Sequence, residues 1–442
     1  MKFNLGQTLI VKAQKLTYEG YGEYRINNFP IFIENLLPNE EAKIILKQIN
    51  SKYAFAEVLE RYSDSPIRNV NIYNENLLNS GSAMLMHLKY DEQIKFKQNI
   101  VNTLFLRELN YLDVLDIIPS PKIWNYRNKI SLQIGQTNDK EFRHGFYKKR
   151  SHDLVDQSSY DLADENLNKM ILDSIQAIKT TLKNNNWIKR SKVFEITFKY
   201  SSFLGESQIV LHSLNEGEIS DEFIKLIQSK WMKISIISNV YNKNYKFIKT
   251  KILANNLAID FKMNDLVFSV NSDAFYQINE WQTQKIYSDI FSLISNDEIV
   301  LDAFSGVSSI GIFISKKAKK VISVEINKAS TESAKINLKI NEVKNLDIVN
   351  QDVKNFLLES KNIFNTVVVD PPRSGLDKEV INSFINSNIS KIVYLSCNPR
   401  TLVRDIKNFT AAGYHIKYVR PYDMFPQTPH IETLVLLEKN II

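Results

Sequence analysis

The chain has 442 residues, 44% of them hydrophobic and 24% charged, with a formal charge of +7 and one cysteine. That length predicts two or three domains with separate cores, and the composition is that of a globular chain. One cysteine excludes intramolecular disulfides and any zinc or iron–sulfur site built from cysteines of this chain. No run reaches the roughly 18 apolar residues of a spanning helix, so no membrane partner is expected. The start, Met1 to Gly6, lacks a signal-peptide pattern, so a cytoplasmic location is expected. The 6 histidines are scattered without metal-ligand spacing, and no metal site is predicted. The positive charge points only weakly toward a polyanionic partner, because an AT-rich genome also enriches Lys, Asn and Ile.

Residues 1–60 show short alternating runs at Thr8–Lys12, Gly22–Ile26, Ile31–Ile33, Ala42–Ile49 and Phe55–Glu60. Turn residues separate them at Glu19-Gly20-Tyr21-Gly22, Asn27-Asn28 and Leu37-Pro38-Asn39. These runs predict a small OB-like β-barrel, a shape that grips oligonucleotides in some proteins and is purely structural in others. Residues 61–285 are expected to form an α+β middle domain, with a helix over Gln93–Asn110 and strands at Lys129–Ile134, Lys192–Lys199 and Gln208–His212. Two stretches, Trp124–Lys129 and Arg143–Arg150, interleave aromatic and basic residues. Rings stack on bases and cations hold phosphates, although an ordinary solvated face has the same composition.

Residues 286–442 alternate strand and helix. Strands are predicted at 298–303, 320–324, 346–349, 366–369 and 391–396, and helices at 308–317, 327–340, 377–387 and 400–412. This is an α/β pattern of a doubly wound parallel sheet, with Tyr414–Arg420 and Glu432–Glu438 as a closing hairpin. The loop from Asp302 to Ser309 lacks G-x-G-x-x-G, but Gly306 permits a tight turn beside a cofactor. Glu325 closes the next strand, where a carboxylate accepts hydrogen bonds from ribose hydroxyls. This spacing fits the S-adenosylmethionine-binding sheet of class I methyltransferases, with a generic doubly wound domain as the alternative.

Asp370-Pro371-Pro372-Arg373 follows a strand, and its prolines fix the backbone so that Asp370 faces a polar, planar substrate group. Cys397 stands at the end of the strand after that, where open sheets hold ligands. Ring nitrogens are methylated by direct attack, whereas pyrimidine C5 needs a nucleophile added at C6 to become reactive. A thiolate is required, and the helix expected near Arg400 offers both a positive charge and an N-terminus to favour it. An inert buried cysteine is the alternative. After methyl transfer a base must remove the C5 proton, and the candidates are Glu432 and His430.

Ser396-Cys397-Asn398-Pro399 with Thr401 and Arg404-Asp405, together with the tail Pro421–Glu432, resembles the signature of the tRNA and rRNA uracil-C5 methyltransferases. The resemblance implies Cys397 as nucleophile and Glu432 as base. It implies S-adenosylmethionine binding through Gln277, Phe304, Glu325, Asp352 and Asp370, with Ser309 at another cofactor-facing position. It extends to residues 1–60, which look like the family's TRAM domain, and to Gln93, Lys97, Tyr126-Arg127-Asn128, Gly145-Phe146-Tyr147 and Ser151-His152. Two departures stand out. The four cysteines that hold a [4Fe-4S] cluster in many bacterial rRNA members correspond to Asn74, Ser80, Ala83 and Tyr160, and the second glycine of the cofactor loop is Ser308. The implied activity is formation of 5-methyluridine in RNA by a monomeric enzyme without an iron–sulfur cluster. The barrel favours 23S rRNA, and the tRNA T-loop is the alternative target. An assembly factor with a silent methyltransferase fold and a nitrogen or ribose methyltransferase are the competing readings.

Overall fold

The computed structural model describes residues 3–71, 74–136, 142–151, 153–182, 186–360, 364–387 and 389–439, so His152 lies outside the described residues. Six strands open the chain: β1 (Thr8–Lys12), β2 (Lys15–Leu16), β3 (Gly22–Ile26), β4 (Phe29–Ile33), β5 (Glu41–Ile49) and β6 (Ala54–Arg61). Their order is β1-β5-β6-β4-β3-β2. The two outermost strands are joined only by Ala13 and Gln14, which curls the sheet around Val11, Ile31, Ile33, Ile44 and Leu46. The strand missing from the sequence reading is β2, whose two residues are too few to show a period.

The middle segment holds α1 (Glu75–Asn79), α2 (Tyr90–Leu109), β7 (Lys129–Gln136), β8 (Phe142–Tyr147), β9 (Leu154–Asp156), α3 (Glu165–Leu182) and α4 (Trp187–Ser191). It continues with β10 (Val193–Ser201), β11 (Glu206–Ser213), α5 (Asp221–Lys230), β12 (Ile234–Tyr241) and β13 (Phe247–Ala254). The sheet order is β13-β12-β11-β10-β7-β8-β9. Leu167, Met170 and Ile171 of α3, with Phe223 and Ile227 of α5, share a core with Ile196, Phe198, Ile209 and Leu211 of the sheet. Alternation then sends Thr197, Lys199 and His212 to the other face.

The last part begins earlier than the strand–helix alternation suggests. A hairpin, β14 (Ala258–Met263) and β15 (Leu266–Asn271), precedes α6 (Glu280–Leu293), and the expected boundary at 285 falls inside that helix. The hairpin and α6 share one apolar core with the catalytic sheet through Phe261, Phe268, Ile286 and Ile290. Then follow β16 (Ile299–Ala303), α7 (Ser309–Ser315), β17 (Lys320–Glu325), α8 (Lys328–Ile340), β18 (Leu346–Asn350) and α9 (Val353–Glu359). The chain closes with β19 (Thr366–Val369), α10 (Lys378–Asn386), β20 (Lys391–Ser396), α11 (Pro399–Ala411), β21 (His415–Tyr422) and β22 (Glu432–Glu438). The free edge of β15 is capped by α8: Asn337 Oδ1 accepts from Ser269 N (2.6 Å) and Asn341 Oδ1 from Val267 N (2.9 Å).

The strand order is β18-β17-β16-β19-β20-β22-β21, with β22 antiparallel to both neighbours. Cores lie on both faces, so successive residues point into different cores: Val367 and Val369 into one, Val368 into the other. That is why β19 reads as an unbroken apolar run. The strand order reverses between the parallel strands β16 and β19, and ligands of such sheets bind beyond the strand ends at that crevice.

Candidate active site

Four strand ends converge at the crevice. Ala303 stands beside Val369 in the β16–β19 register, so Phe304 and Asp370 leave the sheet side by side. On β20 and β22 the last registered pair is Ser396 opposite Thr433, and one step further Cys397 meets Glu432. Cys397, Glu432, Asp370, Gln277, Phe304, Ser309 and Glu325 all line one cavity of about 690 Å³. Asp352 is not among its lining residues; it caps α9, where its Oδ1 accepts from Asn355 N at 3.2 Å.

The loop after β16 is shaped by three left-handed residues, Phe304 (φ 61°), Gly306 (φ 55°) and Ser308 (φ 60°). Ser308 adopts the conformation a glycine would take there, and its Oγ contacts Ser323 Oγ at 2.7 Å beneath the loop, away from the cavity. The serine therefore preserves the loop's path. Buried Asp302 pins the loop from below by accepting from Gly311 N (3.0 Å) and Ser323 Oγ (2.9 Å). Glu325 Oε2 accepts from Gly306 N at 3.0 Å and its Oε1 from Asn327 N at 2.7 Å. A Cβ on Gly306 would meet no atom within 4 Å, so the glycine faces open cavity. Tyr276 OH, Ser305 Oγ and Glu432 Oε1 are buried in the lining with no partner among the described residues. Open space at Gly306, an acidic strand end and unpaired hydroxyls suit a ligand with ribose and amino-acid groups, as S-adenosylmethionine has.

Burial raises both acids of the site, and the Arg373 cation opposes the rise of Glu432. Burial pushes the Asp370 carboxyl up to about 7, against the opposing hydrogen bond from Gln277 Nε2 at 3.1 Å. Burial and the adjacent Asp370 push Glu432 well above the usual carboxylate range, while Arg373 opposes them. Cys397 is pushed up to about 12 by burial, then by Glu432 and Asp370, again with Arg373 opposing. The thiol is therefore protonated in the ligand-free protein. Arg400, expected to favour a thiolate, instead faces Glu19 of the barrel at 3.2 Å. Arg373 takes that part, and its guanidinium also donates to His430 Nδ1 at 2.8 Å. Burial and Arg373 lower His430 to about 4, so it is neutral with Nδ1 engaged as an acceptor.

The tail between β21 and β22 is held in place by the middle of the chain. Lys97 forms a fully buried ion pair with Asp423 at 2.5 Å, and Tyr90 OH donates to the same carboxylate at 2.8 Å. Gln93 exchanges two hydrogen bonds with Gln427, at 2.8 and 3.0 Å, and Tyr126 OH donates to Pro426 O at 3.1 Å. Asn128 Nδ2 donates to Gln277 O at 3.0 Å. Gln93, Lys97, Tyr126 and Asn128 thus position the segments carrying His430, Glu432 and Gln277. Arg373, Arg127 and Phe425 lie in motifs that the sequence singled out without a site role, Tyr287 was not singled out, and all four line the cavity. Tyr287 OH lies 2.7 Å from Ser309 Oγ, and its signal in the sequence is only one apolar-face position of α6.

Asn74, Ser80, Ala83 and Tyr160, where the resemblance would place cluster cysteines, are engaged in polar bonds and packing. Asn74 Nδ2 donates to Asp161 Oδ2 (2.8 Å), Ser80 Oγ to Leu77 O (3.0 Å), and Tyr160 OH lies 2.8 Å from His144 Nδ1. Ala83 is buried against Leu77, Met86 and Tyr126. The basic run Lys148–Arg150 is spent on the barrel: Lys148 pairs with Glu57 (2.8 Å), and Arg150 with Glu34 (2.5 Å) while stacking on Phe55 (3.6 Å). That stretch is an interdomain seam, so its cations are already engaged in the RNA-free protein.

The doubly wound sheet and its cavity define a class I methyltransferase. The profile of the tRNA (uracil-5-)-methyltransferases matches residues 89–440, and that of the TRAM domain residues 2–59. An RNA methyltransferase of Lactiplantibacillus plantarum is 33% identical over the whole of both chains, and one of Lactobacillus johnsonii is 30% identical over 98% of this chain and 99% of its own. The crystal structure of the Pyrococcus abyssi tRNA (uracil-54, C5)-methyltransferase with S-adenosyl-L-homocysteine matches with a TM-score of 0.76 and 25% identity, covering 97% of this chain and all of that one. The chain belongs to the tRNA (uracil-5-)-methyltransferase family and is an S-adenosylmethionine-dependent RNA methyltransferase. No helix among the described residues is long and apolar enough to cross a membrane.

Proposed function

We propose that the enzyme forms 5-methyluridine in 23S rRNA through a covalent adduct on Cys397. The observation that carries the chemistry is the placement of Cys397 one register step beyond Ser396, opposite Glu432, inside the cavity that also holds Asp370. S-adenosylmethionine supplies the methyl group. Cys397 Sγ, its proton given up to solvent as the substrate binds, adds to C6 of a uridine turned out of its stack. The C5–C6 double bond opens, and C5 gains the carbon nucleophilicity it lacks. Once C5 carries the methyl group, Glu432 takes the C5 proton, the double bond re-forms and Sγ leaves. Asp370 and Gln277, already hydrogen-bonded to each other, orient the reacting groups, and Glu325 and Ser309 line the cofactor's side. Glu432 is favoured over His430 because His430 Nδ1 already accepts from Arg373. Burial works against both the thiolate and the Glu432 carboxylate, so the chemistry requires substrate binding to favour their charged forms.

The TRAM barrel supports 23S rRNA as the target. A second reading, the tRNA T-loop, is favoured by the Pyrococcus neighbour, which matches this chain over nearly its whole length and acts on uracil 54 of tRNA. Mapping 5-methyluridine in both RNAs from a deletion strain tests the two together. Loss of 5-methyluridine from 23S rRNA alone is expected; loss from tRNA alone would move the target, and loss from neither would overturn the reading.

A further inference from the structure

A second cleft, about 850 Å³, separates the barrel from α2 and the start of α11. Lys15, Lys95, Arg107 and Arg400 line it, with Tyr18 and Phe96 among its walls. Three of these cations face carboxylates: Lys15 and Glu23 at 3.8 Å, Lys95 and Glu92 at 2.6 Å, Arg400 and Glu19 at 3.2 Å. Arg107 has no ion pair among the described residues. Arg400 lines this cleft from the first turn of α11, three residues after Cys397 of the catalytic cavity, with its guanidinium 4.0 Å from the Tyr18 ring centre. Tyr18 and Glu19, on the barrel's turn between β2 and β3, line the same cleft beside Arg400.

The Arg400–Glu19 pair does not look like a lock between domains. Its side chains are 54% and 51% exposed, and a single nitrogen makes the contact. A pair so open to water contributes little by itself, and another anion displaces it readily. A base turned out of its stack needs its flanking phosphates held, and arginine grips phosphate in the same way it grips a carboxylate. Aromatic walls beside cations are what single-stranded nucleic acid binds.

We propose that this cleft takes the RNA strand flanking the target uridine, that Arg400 seats the phosphate next to the flipped nucleotide, and that Glu19 occupies Arg400 until RNA displaces it. The proposal rests on the reading of the enzyme as an RNA uracil methyltransferase. It makes Glu19 an internal competitor of the substrate, so the two members of one ion pair have opposite effects when removed.

The test measures methyl transfer from tritiated S-adenosylmethionine to ribosomal and transfer RNA from a deletion strain, with the full-length enzyme and its Arg400→Ala and Glu19→Gln variants. Arg400→Ala should raise the KM for RNA about tenfold, the scale of one charge-assisted hydrogen bond, and lower the slope of log affinity against log salt by about 1. Glu19→Gln should lower that KM. Neither should change the KM for S-adenosylmethionine. A KM for RNA that rises in both variants, with Tm falling in both, would make the pair a structural latch and overturn the proposal, as would an unmoved KM in Arg400→Ala. If the wild-type enzyme leaves uracil in both RNAs unmethylated, the functional reading itself falls and the proposal with it; retained methylation with unmoved variants rejects the proposal alone.

Discussion

At the scale of single residues the site is organised around Arg373. It opposes the upward push on Cys397 and Glu432, and it adds to burial in lowering His430. With the thiol at about 12, kcat/KM for RNA should rise with pH through the neutral range. Removing the cation favours the uncharged thiol, so Arg373→Ala should move that ascending limb to higher pH, while Arg373→Lys should largely restore it. A pH–rate profile unchanged by Arg373→Ala would show that the guanidinium does not tune the thiol. Glu325 belongs to the cofactor's side of the same cavity. Glu325→Ala should weaken S-adenosylmethionine binding by roughly 1–3 kcal/mol, the scale for hydrogen bonds to a charged group. Calorimetry giving the wild-type affinity would reject its role.

At the scale of elements, the tail from Asp423 to Glu432 depends on α2. Lys97 and Asp423 are both fully buried, so Lys97→Met leaves a carboxylate without its counter-ion and should cost about 3–5 kcal/mol in stability, with activity falling as the tail loosens. Adding Asp423→Asn should recover much of the lost Tm. Independent, additive effects of the two substitutions would show that the pair does not hold the tail. The elements that carry the chemistry were legible in the sequence because their strands are buried on both faces and their ends carry Asp370, Cys397 and Glu432. Less legible were the tail's supports. Nothing about Gln93 or Lys97 as letters says that they reach Gln427 and Asp423, more than three hundred residues away, and only the resemblance marked them. The middle sheet was obscure for a related reason. Strand β12 is buried along nearly its whole length and β13 is largely exposed, so neither shows clean alternation. The sequence left the Arg143–Arg150 stretch open between RNA contact and an ordinary solvated face, and two of its cations, Lys148 and Arg150, pair with Glu57 and Glu34 of the barrel.

At the scale of the whole molecule, the barrel meets the middle sheet and the start of α11 through ion pairs and stacked rings. Asn74, Ser80, Ala83 and Tyr160, where the resemblance would place cluster cysteines, are bonded and packed among protein groups. The purified enzyme should therefore be colourless and should fold and methylate in air with chelator present. Stoichiometric iron and sulfide, or activity lost to chelator and regained with iron, would contradict this.

The central claim is that Cys397 bonds to the uracil ring at C6, and RNA carrying 5-fluorouridine at the target tests it most directly. Fluorine at C5 cannot leave as a proton, so the adduct cannot resolve after methyl transfer. With S-adenosylmethionine present, a stable protein–RNA band should form with the wild-type enzyme and be absent with Cys397→Ala. A covalent band formed equally well by Cys397→Ala would contradict the account.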